Sequence, residues 1–267
     1  MDIKRTYAIF LRQFYLIRDN PTRFFQMFVW ITVDVILWGF MSRYIAEVAG
    51  PGFSYLPALL GAVILWNFLI RVMQGITMAF MEDSWSRNIL NMFASPLSIS
   101  EYIGGFVLTS IGTSILVLFF MFVLAAAFFG FTAFSYGITI VPYLIILFIS
   151  GIALGILGVT VMLRLGPSAE WLVWPIPALI SPFVGVTYPL SILPSWMQNI
   201  GHMLPPSYVF EGVRATMNGG VFSMGDFVIG LLLALFFVLL AYRGFVRVYR
   251  TAVRTGLIAR YSAESVS

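Results

Sequence analysis

Cysteine is absent from this chain of 267 residues, and lysine and histidine occur once each, as Lys4 and His202. Without cysteine there are no disulfides, no thiolate nucleophile and no thiolate metal site. A nucleotide-binding P-loop needs a lysine after its glycines, and Lys4 follows none, so this chain supplies no Walker ATPase. A lone histidine with no second histidine or cysteine to share a metal reads as an ordinary interfacial residue. No G-x-S-x-G occurs to set a serine nucleophile against it. The chain is therefore expected to be no enzyme and to hold no metal or cofactor of its own. Charge is scarce too, at 10% of residues against 60% hydrophobic, with mean hydropathy +0.96. So little charge cannot cover a soluble domain of this size, and an integral membrane protein is implied. No signal peptide is evident, since Lys4, Arg5, Arg12 and Arg18 break the first apolar run and no small-residue cleavage site follows. No internal repeat or low-complexity linker divides the chain, and one domain is expected.

What is present is long apolar runs. Residues 2–18 carry Ile3, Tyr7, Phe10, Leu11 and Phe14 on one helical face among basic residues, which predicts an amphipathic helix lying on an anionic leaflet, with residues 1–23 as an interfacial segment. Asn20 and Pro21 suit the N-cap and first turn of the next helix. An all-α architecture of six spans follows, at about 24–44, 55–81, 102–129, 138–163, 171–189 and 227–242, each near the roughly 20 residues that cross a bilayer. Gly50-Pro51-Gly52 and Gly130–Gly137 make turns, and Pro175, Pro177 and Pro182 break span five. Gly151 and Gly155 form a GxxxG in span four, with Gly158 a turn further on, which predicts a close-packing face. Six spans put both termini on one side. The segments on that side hold twelve Lys and Arg residues, against two, Arg43 and Arg214, opposite. The positive-inside rule makes that side cytoplasmic, including a basic tail over 246–267.

The longest polar interruption in the first two-thirds of the chain is Met81–Gly105. Trp85, Ile89, Met92 and Phe93 recur at helical spacing, leaving Glu82, Asp83, Arg87 and Asn88 on the other side, so 82–95 reads as a short amphipathic helix ended by Pro96. Ser98 and Glu101 then form a capping box that opens span three. Such a helix between two spans is either a handle for a cytoplasmic partner or a connector resting on lipid. Between spans five and six, residues 191–220 are cut by Pro194, Pro205 and Pro206 into pieces too short to cross. Two short amphipathic helices dipping in from the outer face fit, with Trp196, Ile200 and Met203 on one and Val209, Val213 and Met217 on the other.

Two charges fall inside the spans. Asp34 and Arg71 sit at similar depth, and Asn67, Arg71 and Gln74 continue as one polar stripe. They are either the lining of a substrate path or a structural Asp34–Arg71 pair, with Arg71 snorkelling as a variant of the latter. Aromatic residues reach 17%, most of them expected to face lipid or pack, with a minority able to grip a sugar or a hydrophobic drug.

The basic amphipathic start, six spans, Ala94-Ser95-Pro96-Leu97-Ser98 after a cytoplasmic helix, Tyr188-Pro189-Leu190-Ser191-Ile192-Leu193-Pro194 and Glu211-Gly212-Val213-Arg214 together resemble the ABC transporter type-2 exporter permeases. Arg87-Asn88-Ile89-Leu90 stands where that family usually has Gly-Thr. The resemblance implies a permease in a bacterial-type inner membrane, moving a polysaccharide, lipid-linked or hydrophobic drug-like substrate. It further implies a second permease copy and a separate ATPase subunit that carries ATP and Mg, alongside membrane lipids and with no nucleic-acid partner. Within it, 82–95 would be the coupling helix, with Glu82, Asp83, Trp85, Arg87, Asn88 and Asn91 at the ATPase. The helices of 191–220, with Tyr188, Pro189, Trp196, Glu211 and Arg214, would form the outer gate. The rival class, an ion-coupled secondary transporter or channel, predicts several buried acidic residues, and only Asp34 lies deep in a span.

Overall fold

The computed structural model describes residues 2–49, 56–131, 137–217 and 219–257, and among these every regular element is helical. The turn at Gly50-Pro51-Gly52, the interior of the Gly130–Gly137 turn, Asn218 and the chain after Leu257 lie outside the described residues.

Helix α1 (Ile3–Arg18) is capped by the Asp2 carboxylate, which accepts from the Lys4 amide at 2.9 Å. It buries Thr6, Ile9 and Gln13 and leaves Ile3, Tyr7 and Phe14 open, so the apolar face read from the sequence points away from the bundle. That is the arrangement of a helix lying on a membrane surface. Helix α2 (Pro21–Ala49) begins as expected, with Asn20 Oδ1 accepting from the Arg23 amide at 3.2 Å and Pro21 in the first turn. Helices α3 (Leu56–Trp85), α5 (Ile99–Phe129) and α6 (Ile140–Leu165) follow, and α11 (Met224–Arg254) closes the bundle. With α2, these are the five helices among the described residues long and apolar enough to cross a membrane. At about 1.5 Å per residue, each outruns a hydrocarbon core of roughly 30 Å, so their ends project from it. The projecting end of α11 carries Arg243, Arg247, Arg250 and Arg254, and this lengthens span six well beyond 227–242.

Span five, expected at 171–189, is not one helix. A 3-10 turn at Pro167–Ala169 leads into α7 (Glu170–Val173) and α8 (Ile176–Val184), and Gly185 ends α8 at φ 66°. Proline lacks the amide that would bond the preceding turn, so Pro175 divides α7 from α8. The broken segment still travels the length of the bundle. Glu170 at its start accepts from Trp85 Nε1 at 3.0 Å at the end of α3, and Gly185 lies under Arg214, one turn from the contact of Gly212 with Tyr143 near the start of α6. Two further short helices, α9 (Ser195–His202) and α10 (Pro205–Met217), precede α11. Val209 and Val213 of α10 are buried, whereas Trp196 and Met203 look outward.

Helix α3 is the hub, packed on α2, α5 and α6, while α11 lies along α6 and α1 along α5. The predicted glycine face explains how close α3 and α6 come. A Cβ on Gly151 would lie 2.7 Å from Val72 Cβ and 2.9 Å from the Leu69 carbonyl, and one on Gly155 would lie 2.9 Å from Ile76 Cβ. Small residues let such backbones meet, as in membrane helix pairs generally. Two apolar clusters stack along the axis. One joins Leu65, Phe68, Val117, Tyr143, Val184 and Phe210; the other joins Ile9, Phe80, Ile89, Tyr102, Phe245 and Ala252. The second cluster gathers α1, the end of α3 and the far part of α11 at one end of the bundle.

Candidate functional site

At that end, α3 does not continue into one amphipathic helix over 82–95. It runs on to Trp85, the chain reverses through Ser86–Asn88 with Arg87 at φ 55°, and a separate α4 (Ile89–Ala94) follows. A left-handed arginine is an uncommon conformation and marks a tightly determined turn. The Asn88 amide donates to the Asp83 carbonyl at 2.9 Å and closes the turn. Ile89 is fully buried, Trp85 and Asn91 are exposed, and the side chain of Phe93 lies outside the described residues.

Glu82 and Asp83 were expected on a free polar face. Both turn inward instead. Asp83 is buried, forms an ion pair with Arg12 and accepts from the Tyr102 hydroxyl at 2.7 Å. Glu82 forms an ion pair with Arg23, which also donates to Gln13 Oε1 at 3.3 Å. Burial works against the Arg12 charge, but the hydrogen bond and charge of Asp83 outweigh it and hold the guanidinium above its usual pKa. The capping box is present as predicted: Ser98 Oγ accepts from the Glu101 amide and Glu101 Oε2 accepts from the Ser98 amide. Glu101 Oε1 also accepts from the Asp2 amide at 2.6 Å, while Arg5 donates to the Pro96 carbonyl. Helix α1 is thereby tied to both flanks of the 86–97 turn. Arg12, Arg23 and Tyr102 escaped the sequence reading as site residues. The available signal was complementary charge, the basic residues of α1 and the first turn of α2 against the acidic pair Glu82-Asp83.

In the interior, Asp34 does not pair with Arg71. Its polar neighbour is Asn67, whose amide also donates to the Val63 carbonyl at 3.1 Å. Arg71 and Gln74 instead line a cavity of about 140 Å³ with Gln13, Arg23 and Gln26, between Trp30 of α2 and Trp174 at the α7–α8 junction.

At the opposite end, Arg214 Nη2 donates to the Gly185 carbonyl at 2.6 Å and to Glu211 Oε1 at 2.8 Å, which also accepts from the Leu190 amide at 2.8 Å. This pair staples the α8–α9 connection to α10. Pro189 opens the 3-10 turn Leu190–Ile192, and the Tyr188 hydroxyl donates to the Pro182 carbonyl at 2.8 Å, folding the connection back on α8. Trp196 stays exposed with its ring 6.2 Å from that of Phe183. Four of the five residues expected here, Tyr188, Pro189, Glu211 and Arg214, thus shape a single knot, with Trp196 at its edge.

A family model for ABC-2 family transporter proteins matches residues 41–243. No curated protein matches the chain. The matched stretch runs from within α2 to within α11 and takes in four of the five long helices' cores, the 86–97 turn and the Arg214 knot, well over half of the sequence. The chain is a multi-pass membrane protein and belongs to the ABC-2 family of transporter proteins.

Proposed function

We propose that this chain is the membrane-spanning permease of an ATP-driven exporter, and that a separate ATPase subunit carrying ATP and Mg docks on the end of the bundle built from α1 and residues 82–98. One observation carries the reading. The exposed crest of Trp85, Arg87 and Asn91 rests on two largely buried ion pairs, Asp83 to Arg12 of α1 and Glu82 to Arg23 of α2, and on a capped α5, so a push on the crest is delivered to α1, α2, α3 and α5 together. Asn88 closes the turn beneath the crest, and Glu82 and Asp83 serve as the internal linkage rather than as contacts to the ATPase. That end is cytoplasmic by the distribution of Lys and Arg, which places both termini there, in an inner membrane of bacterial type. Helices α9 and α10, tied to the end of α8 by Arg214 and Glu211, are the outer gate, entering from the far face as re-entrant elements. A second permease copy completes the translocation path for a polysaccharide, lipid-linked or hydrophobic drug-like substrate.

The absence of native cysteine makes the test direct. Single cysteines at Arg87 and Asn91 should cross-link to a copurifying P-loop ATPase, and one at Val221, exposed at the opposite end, should not. The permease purified alone should turn over no ATP. Hydrolysis by the lone chain, or an empty cross-link at both crest positions in active membranes, would overturn the reading.

A further inference from the structure

The cavity around Arg71 has an electrostatic imbalance. Helix α3 is buried along most of its length but leaves Arg71, Gln74, Met78 and Glu82 only partly covered, one stripe at helical spacing. Glu82 is matched by Arg23. Arg71 is matched by nothing among the described residues: Asp34 is turned to Asn67, and the charge that acts on Arg71 is Arg23, of the same sign. The orphaned atoms in this cavity are both donors. Arg71 Nε is sealed from solvent without an acceptor, and so is Nε2 of Gln13, a fully buried side chain whose Oε1 is already taken by Arg23. Among the described residues, the unpartnered carboxylate oxygen nearby, Glu82 Oε2, belongs to the neighbouring cleft lined by Arg12, Leu16 and Trp85. A sealed guanidinium N–H and a buried amide with no acceptor are costly, and charges at membrane depth normally pair.

We propose that this cavity binds the anionic headgroup, phosphate or carboxylate, of an amphiphile. Arg71 supplies the fixed charge, Gln13 and Gln74 supply amide donors, and Trp30 and Trp174 border the apolar body. The cavity extends from Gln13 and Arg23, near the interface, inward to Arg71, so a headgroup held at Arg71 sits deeper than that of a resident lipid. Arg71 lies eleven residues from Glu82, roughly 16 Å further into the bundle, whereas a resident headgroup stays at the interface. Naming the amphiphile as substrate rests on the exporter reading; binding itself needs no ATPase, so the two fail separately.

The experiment uses the purified permease in neutral detergent, with tryptophan emission as the signal. Dodecyl phosphate is titrated against the wild type, Arg71→Gln, Arg71→Lys and Trp174→Phe, with an uncharged dodecyl amphiphile and inorganic phosphate as separate arms. The expected result is a saturable change that weakens at least about tenfold in Arg71→Gln, is largely kept in Arg71→Lys and shrinks in Trp174→Phe. Arg71→Gln without ligand should melt no lower than the wild type, because it removes an uncompensated charge. Equal affinity in Arg71→Gln, an equal response to the uncharged amphiphile, or a full response to inorganic phosphate alone would each overturn the proposal. So would a ligand-free Arg71→Gln that is clearly destabilised, since Arg71 would then have an internal partner. Binding without ATP-driven transport would leave the site standing and remove the exporter reading.

Discussion

Replacing Arg12 by glutamine tests whether the linkage from α1 to the 86–97 turn is structural. The Asp83 side chain is 0% exposed, and its partners are the Arg12 guanidinium and the Tyr102 hydroxyl. Removing the cation strands a buried carboxylate, which typically costs about 3–5 kcal/mol. Arg12 itself is 28% exposed, so water already screens part of the pair, and Tyr102 still donates after the change. We therefore expect the lower end, about 3 kcal/mol. For a chain of this size that corresponds to a fall in Tm of roughly 6–12 °C. The double variant Arg12→Gln/Asp83→Asn should regain part of the loss, with a coupling energy of about 2 kcal/mol. Circular dichroism melts of the four proteins in one detergent complete the cycle. A loss below about 1 kcal/mol, the size of an exposed ion pair, would refute the reasoning, as would strict additivity.

Other substitutions probe the remaining contacts. Gly151→Leu should separate α3 from α6 and destabilise by at least about 1–3 kcal/mol, read as loss of the folded monodisperse species in detergent. Arg214→Leu leaves Glu211 Oε1 and the Gly185 carbonyl without their shared donor, so transport should fall while α3, α5 and α6 stay assembled; unchanged transport would show that the knot is not a gate. Asp34→Asn and Arg71→Gln should act additively within about 0.5 kcal/mol, because the two side chains do not meet. A coupling above about 1 kcal/mol would place them in contact.

Features governed by a few neighbouring residues were legible before any coordinates. The Ser98–Glu101 capping box, the Asn20-Pro21 helix start and the glycine face of α6 each follow from side chains within one or two turns of one another. Hydropathy located the five long helices among the described residues, because bilayer thickness sets their length whatever they pack against. The turn at Ser86–Asn88 was invisible for a physical reason. A single left-handed residue leaves the spacing of Trp85, Ile89 and Met92 nearly unchanged, so periodicity continued through a break. Prolines flagged the weakness of the segment 171–189, but the broken course of α7 and α8 depends on packing, with Val173 against Gly158 of α6 and α8 against α9 and α10. Arg12 meets Asp83 across 71 positions of sequence only because Ile9 seats α1 against Gly105 of α5. The sequence alone settled composition, helix spacing and the clustering of basic residues, since these are local or additive. Which charges meet, and which one is left without a partner, was decided by how α1, α2 and α3 pack, because ion pairing depends on distances that only the assembled bundle sets.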